Sequence, residues 1–242
     1  MQKFQLRLGL TPMWTGVRGS DYATIKYDSE GRQLWVALYN GPGNGNDIAA
    51  AIFVDSKGYI YVTGGSAAVG TPERDYATIK YDSEGNEVWV ARYDGPAHQD
   101  DMAFALTVDA EGHVYVTGGG YGVDTGFDCA TIKYDPEGNE LWAARYNGPG
   151  NRHDTAWALA LDAKGNVYVT GDSWGDGSWQ DYATIKYDRE GNEVWVARYD
   201  GPSHQIDAAS AIALDAQGNV YVTGSSSGLA SLDYTTIKYS QK

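Results

Sequence analysis

Asp75-Tyr-Ala-Thr-Ile-Lys-Tyr81 is a seven-residue stretch that this chain writes five times. It stands at 21–27, 75–81, 128–134 (Cys129 for Tyr), 181–187 and 233–239 (Thr235 for Ala). The start-to-start steps are 54, 53, 53 and 52 residues. A period that regular means a repeat architecture, in which each unit buries its apolar surface against its neighbours.

Working outward from the motif at 75–81, two apolar runs precede it: Ala49-Ala-Ala-Ile-Phe-Val54 and Tyr59-Ile-Tyr-Val-Thr63. Glu87-Val-Trp-Val-Ala-Arg-Tyr93 follows it. All are short, rich in Val, Ile, Thr, Tyr and Trp, and bounded by Gly or Asp. Helical periodicity is absent, so each repeat reads as four strands. Residues 64–74, 118–127, 171–180 and 224–232 read as Gly-rich loops joining the second strand to the third.

The turns repeat as well. Asp-x-x-Gly follows the first strand at Asp55, Asp109, Asp162 and Asp215, and the third at Asp28, Asp82, Asp135 and Asp188. Aspartate braces such a turn through its side chain, and glycine takes the positive-φ position. One or two carboxylates per turn are too few for calcium.

Four hairpin-linked strands per repeat describe a propeller blade. The expected fold is all-β, an antiparallel β-propeller that is five-bladed, with four-bladed as the alternative. Each four-stranded blade takes about 53 residues, and a single domain spans 1–242. The blades fall at about 1–40, 47–94, 101–147, 153–199 and 207–239. Residues 1–20 read either as a degenerate inner hairpin of the first blade or as a strand closing the last. Trp35, Trp89, Trp142 and Trp195 share one fourth-strand position, which marks them as packing between blades.

Asp162-Ala-Lys-Gly-Asn-Val-Tyr-Val-Thr-Gly171, Asp181-Tyr-Ala-Thr-Ile-Lys-Tyr-Asp188 and Gly191-Asn-Glu-Val-Trp195 carry a family likeness. They resemble the bacterial β-propeller repeat family known as SBBP repeats, over about residues 21 to 239. The resemblance implies a propeller and a secreted or cell-surface setting, and it implies no active site.

A net charge of −14 repels phosphate backbones, so nucleic acid is not an expected partner. Cys129 is the only cysteine, which rules out an internal disulfide and a thiolate zinc cluster. No run of 18 apolar residues is present, and the stretch Met1–Leu10 lacks the apolar core of a signal peptide. Neither a metal nor another cofactor is expected. Ser nucleophile elbows, P-loops and His-Glu-x-x-His helices are missing too.

Two features of the sequence could form a site. The second-to-third loops vary most between repeats, and variation on one face of a repeated scaffold is where specificity resides. They carry Trp174, Trp179, Asp176, Tyr121 and Asp124: rings that can stack on a sugar face beside carboxylates that accept hydroxyl protons. Asp47, Asp101, Asp154 and Asp207 each precede a first strand, so they either ring a channel mouth or cap backbone N–H groups. His98 and His204 share a position with Asn44 and Asn151, which suggests loop bracing. The expected function is a non-catalytic binding or interaction scaffold for glycans or a protein partner. A hydrolase- or lyase-type enzyme at the acidic channel mouth is the alternative.

Overall fold

The computed structural model describes residues 19–228 and 231–240. The alternative readings of residues 1–20 fall, up to residue 18, outside them. The described chain is all-β, with seventeen antiparallel strands in five sheets, none of which closes on itself. Strands β1 (Tyr22–Tyr27) and β2 (Gln33–Tyr39) make a pair. The next sheet is β3 (Ile48–Val54), β4 (Ile60–Ala67), β5 (Arg74–Tyr81) and β6 (Glu87–Tyr93), in that spatial order. A third holds β7 (Asp101–Val108), β8 (Val114–Gly122), β9 (Gly126–Tyr134) and β10 (Glu140–Tyr146). The fourth holds β11 (Asp154–Leu161), β12 (Val167–Trp174), β13 (Gln180–Tyr187) and β14 (Glu193–Tyr199). Last come β15 (Asp207–Leu214), β16 (Val220–Ser227) and β17 (Leu232–Tyr239). The chain divides into two compact units, one ending at Ala103 and the other opening at Phe104.

The joins between second and third strands differ from the sequence reading. Residues 64–74 were expected to be loop, yet Gly64 and Gly65 sit in the ladder opposite Ala77 and Tyr76. Only 123–125 separate β8 from β9, and only 175–179 separate β12 from β13. Gly64 serves a bulge rather than a loop. The first strand of a repeat shifts register between Ala49 and Ala51, between Ala156 and Ala158, and between Ala209 and Ala211. Ala50, Trp157 and Ser210 are therefore the extra residues of β-bulges. Each bulge drives a carbonyl onto the facing glycine: a Cβ on Gly171 would lie 1.8 Å from the Thr155 oxygen.

The repeated Asp-x-x-Gly turns are built alike. Asp188 accepts the N–H of Glu190 at 3.0 Å and of Asn192 at 2.9 Å, and Gly191 has φ of +87°. A side chain at Gly191 would also press on Trp142, whose Nε1–H donates to the Arg189 carbonyl at 3.1 Å. Within the first unit Trp35 does the same with the Ser83 carbonyl. Trp35 and Trp142 thus each lock one sheet to the next sheet's turn.

Within each unit, apolar clusters lie between consecutive sheets. In the first unit Tyr22, Tyr39, Ile60, Val62, Ile79 and Tyr81 form one core, and the Tyr22 hydroxyl donates to the Ala77 carbonyl. In the second, one cluster joins Tyr115, Cys129, Val167, Ile185 and Tyr187, and another joins Tyr168, Tyr182, Val220 and Val222. Each fully buried Ile or Val is worth about 1.5–3 kcal/mol of transfer free energy. Alanines at 156 and 209 let the first strands approach closely. The buried threonine of Val-Thr-Gly is satisfied by a cross-strand partner, as in Thr170 with Thr184 at 3.1 Å.

A polar clamp secures the fourth strand. Arg92 donates to the Tyr39 hydroxyl, to both oxygens of Ser66 and, at 2.9 Å, to Asp75. Arg198 repeats this on Tyr146, Ser173 and, at 2.8 Å, Asp181. Arg145 donates to the Gly120 carbonyl and to Asp128 at 3.1 Å. One arginine thereby ties its strand to the third strand, the second strand and, for Arg92 and Arg198, the preceding sheet.

The turn acids give the fold a pH signature. Side-chain hydrogen bonds from Asn86, Asn139 and Asn192 hold Asp82, Asp135 and Asp188 below the ordinary aspartate value of 3.8. A depressed carboxyl stabilises the fold above its unfolded value and loses that contribution as pH falls through the folded value. Burial raises Asp154 and Asp172, which act in the opposite sense. Melting temperatures recorded from about pH 6 to about pH 2 should fall less steeply below 3.8 in an Asp82→Asn/Asp135→Asn/Asp188→Asn variant than in the parent. Parallel curves would remove the turn acids from the acid response.

Candidate functional site

One aromatic surface of the second unit stands out. Trp174 ends β12 and Trp179 sits just before β13, so the hairpin brings their rings to 5.4 Å at 37°. Trp179 is 53% exposed, and Trp174 is half-buried. Asp176 is exposed at the tip between them. One repeat earlier, Tyr121 meets Phe127 edge-on at 5.2 Å, and Asp124 turns the hairpin with φ of +61°.

The segment 148–153 joins these two hairpin ends into one surface. The Gly150 N–H donates to the Trp174 carbonyl at 3.1 Å, and the Arg152 guanidinium lies over the Trp174 ring at 5.1 Å. His153 packs 6.3 Å from both Tyr121 and Phe127. The five residues singled out from the sequence therefore share one face, with Arg152, His153 and Phe127 between them. Trp174 and Tyr121 stand on strands rather than in loops. A cation on one indole and half of a second indole bare suit planar, weakly polar ligands carrying hydroxyls.

Arg152 was missed because its segment looked like a plain connection. Its siblings are Gly45, Gln99 and Gln205, so an arginine there was a readable departure. Asp172 is another, standing where other repeats have Gly65, Gly119 and Ser225. It is buried, with its carboxyl pushed up by burial, and it accepts Trp157 Nε1–H and, at 2.8 Å, Gln180 Nε2–H. The Trp157 ring, 41% exposed, stacks on Phe104 at 4.4 Å.

Asp47, Asp101, Asp154 and Asp207 are all buried. Asp154 accepts the Gly148 N–H at 2.7 Å on one oxygen and the Trp174 N–H at 3.1 Å on the other. Asp47 and Asp207 do the same for Gly41 and Ala67 and for Gly201 and Ser227. Asp101 accepts the Gly95 N–H at 2.6 Å. Asp47, Asp154 and Asp207 thus spend both carboxylate oxygens on backbone donors, as capping residues do. His98 and His204 have φ of 51° and 53°, and Asn44 and Asn151 both have 49°. Asparagine and histidine are among the residues that tolerate that region, which explains the exchange between repeats. His98 also binds Asp94 at 2.7 Å, and His204 binds Asp200 at 2.6 Å.

Three acidic groupings lie close: Asp109 with Glu111 and His113, Asp75 with Asp94 and Asp101, and Asp181 with Asp200 and Asp207. Asp109 is taken by the Gly112, His113 and Tyr115 donors of its own turn. Asp75 and Asp181 are taken by the arginine clamps.

No family model and no curated protein matches this chain. Function rests on the surface itself.

Between successive sheets the variable residues are paired. Arg74 binds Asp100 through its backbone N–H at 2.9 Å and its guanidinium at 3.2 Å. One repeat on, the equivalent pair is Phe127 with His153.

Proposed function

We propose that this chain is a non-catalytic binding scaffold that recognises glycans through the surface of Trp174, Trp179, Asp176, Tyr121 and Asp124. In this reading the sheets are blades of an SBBP-type β-propeller, five-bladed with four as the alternative. The period of the motif supports that arrangement, as do the apolar clusters between consecutive sheets within each unit. The observation that carries the function is the Trp174–Trp179 pair, with one indole half bare at a hairpin end beside exposed Asp176. An indole face takes the apolar side of a pyranose ring, and the carboxylates of Asp176 and Asp124 accept hydroxyl protons. Related hairpins in successive repeats let weak contacts add on an extended ligand.

A glycan array followed by calorimetry on the hits tests this. The Trp174→Ala/Trp179→Ala double variant should bind at least about tenfold more weakly, with an unchanged fold. Full affinity in the double variant would place the site elsewhere. A wild type that binds no glycan but captures a protein through the same tryptophans would replace the ligand class.

A further inference from the structure

In a chain of net charge −14, cations find acids readily, and nearly all do. Arg32, Arg74, Arg92, Arg145, Arg189 and Arg198 each hold a carboxylate. Among the described residues Arg152 is the one arginine with no carboxylate in ion-pair contact. It is exposed, and its guanidinium lies over the Trp174 ring at 5.1 Å. The histidines divide in the same way. His98, His113 and His204 are bonded to Asp94, Asp109 and Asp200, whereas the exposed His153 is bonded to no acid among the described residues. Asp172 is near enough to feel the His153 ring, but it spends both oxygens on Trp157 and Gln180.

The two unmatched basic residues are consecutive, and they stand between two aromatic hairpin ends. His153 meets Tyr121 and Phe127 on one side, and Arg152 meets Trp174 on the other. Trp179, paired with Trp174 at 5.4 Å, is 53% exposed. Contact through the flat face of a guanidinium leaves its in-plane N–H donors available. A neutral sugar offers that fork no counter-charge. The acidic balance of the whole chain does not decide the matter, because charges more than about 8 Å away are screened at physiological ionic strength. Asp124 and Asp176 stand at the hairpin tips, where they disfavour an anion and leave Arg152 as its place.

We propose that the ligand of this surface is an acidic saccharide whose oxyanion binds the Arg152 guanidinium, with His153 as a second donor and a sugar ring stacked on Trp179. The proposal rests on the glycan role given to this surface above, and narrows it to sugars carrying a uronate carboxylate or a sulfate ester. Either group presents paired oxygens to the fork. A charge-assisted contact is worth more than one to a neutral hydroxyl, so the acid selects among the many sugars that an indole can stack.

The test is a glycan array in which each neutral oligosaccharide stands beside a uronate and a sulfated counterpart of the same linkage. It is probed with the full chain and with an Arg152→Gln variant. Two sibling repeats carry glutamine at that position, Gln99 and Gln205, so the variant should keep the parent's melting temperature, which is measured alongside. In the parent the acidic members should bind at least about tenfold more tightly than their neutral partners. In the variant that advantage should vanish while the neutral members keep their affinity. Arg189→Gln removes the same charge from the turn at the other end of β13 and should leave the preference intact. The two acidic arms tell which oxyanion is preferred, and either one supports the proposal if it depends on Arg152. Equal binding of acidic and neutral members overturns the proposal and leaves the glycan role standing. So does an acid preference that survives Arg152→Gln, or one that Arg189→Gln abolishes as well. A blank array overturns the glycan role itself, and this inference with it.

Discussion

Arg198→Ala should lower the unfolding free energy by about 3 kcal/mol, and Arg198→Lys should recover less than half of that. The guanidinium reaches four acceptors on three strands: Asp181 and the two oxygens of Ser173, and the Tyr146 hydroxyl of the preceding sheet. Truncation leaves the Asp181 carboxylate with 6% side-chain exposure and the Ser178 hydroxyl at 3.1 Å as its remaining side-chain donor. A buried charge stripped of its partner costs far more than a surface pair is worth. Because Arg198 itself keeps 22% exposure, the low end of the buried range applies. Lysine restores the charge but not the fork. Urea titrations at constant m measure the loss. A change under about 1 kcal/mol would make the clamp a surface ion pair in effect.

Gly171→Ala should cost still more, about 4 kcal/mol. The new methyl would meet the Thr155 carbonyl oxygen at 1.8 Å, its carbon at 2.8 Å and the Ala156 Cα at 2.9 Å. All three are backbone atoms of the bulge on β11, so no side chain can swing aside. Either the bulge or the β11–β12 ladder must open. Gly177→Ala is the contrast, because nothing lies within 4 Å there and only its φ of +86° is strained, at a cost of about 1 kcal/mol. Equal losses at the two sites would mean that the bulge yields to the methyl and does not govern the Val-Thr-Gly position.

Turns and strands were legible because their causes are local. Asp188 and Gly191 satisfy the turn from within five residues, and the motif alternates in place. Gly64, Gly118, Gly171 and Gly224 read as loop residues because the reason for them lies in another strand: in three of these positions a bulge carbonyl occupies the space of a side chain. Asp154 was ambiguous for a similar reason. A carboxylate before a strand looks the same whether it faces solvent or, as here, two backbone N–H groups, one of them twenty residues away. Trp174, Trp179 and Tyr121 were visible as departures from the repeat. Arg152 and His153, which join them, needed the packing of one hairpin against the next segment before their place was evident.

The pairing of Arg74 with Asp100 and of Phe127 with His153 bears on how the chain finds its own partners. Strands β5 and β9 carry the same motif but for Cys129 in place of Tyr76, so a refolding chain that exchanges them makes every ladder bond and loses little core packing. Hydrogen bonds and buried tyrosines are therefore blind to which repeat a strand came from. Exchange becomes costly only at the variable corners, where it would set a guanidinium beside an imidazole or a phenyl ring against a carboxylate. A handful of partly exposed side chains acts as the address label of each hairpin, and substituting them should raise the yield of strand-swapped and aggregated species while leaving the properly assembled molecule nearly as stable as before.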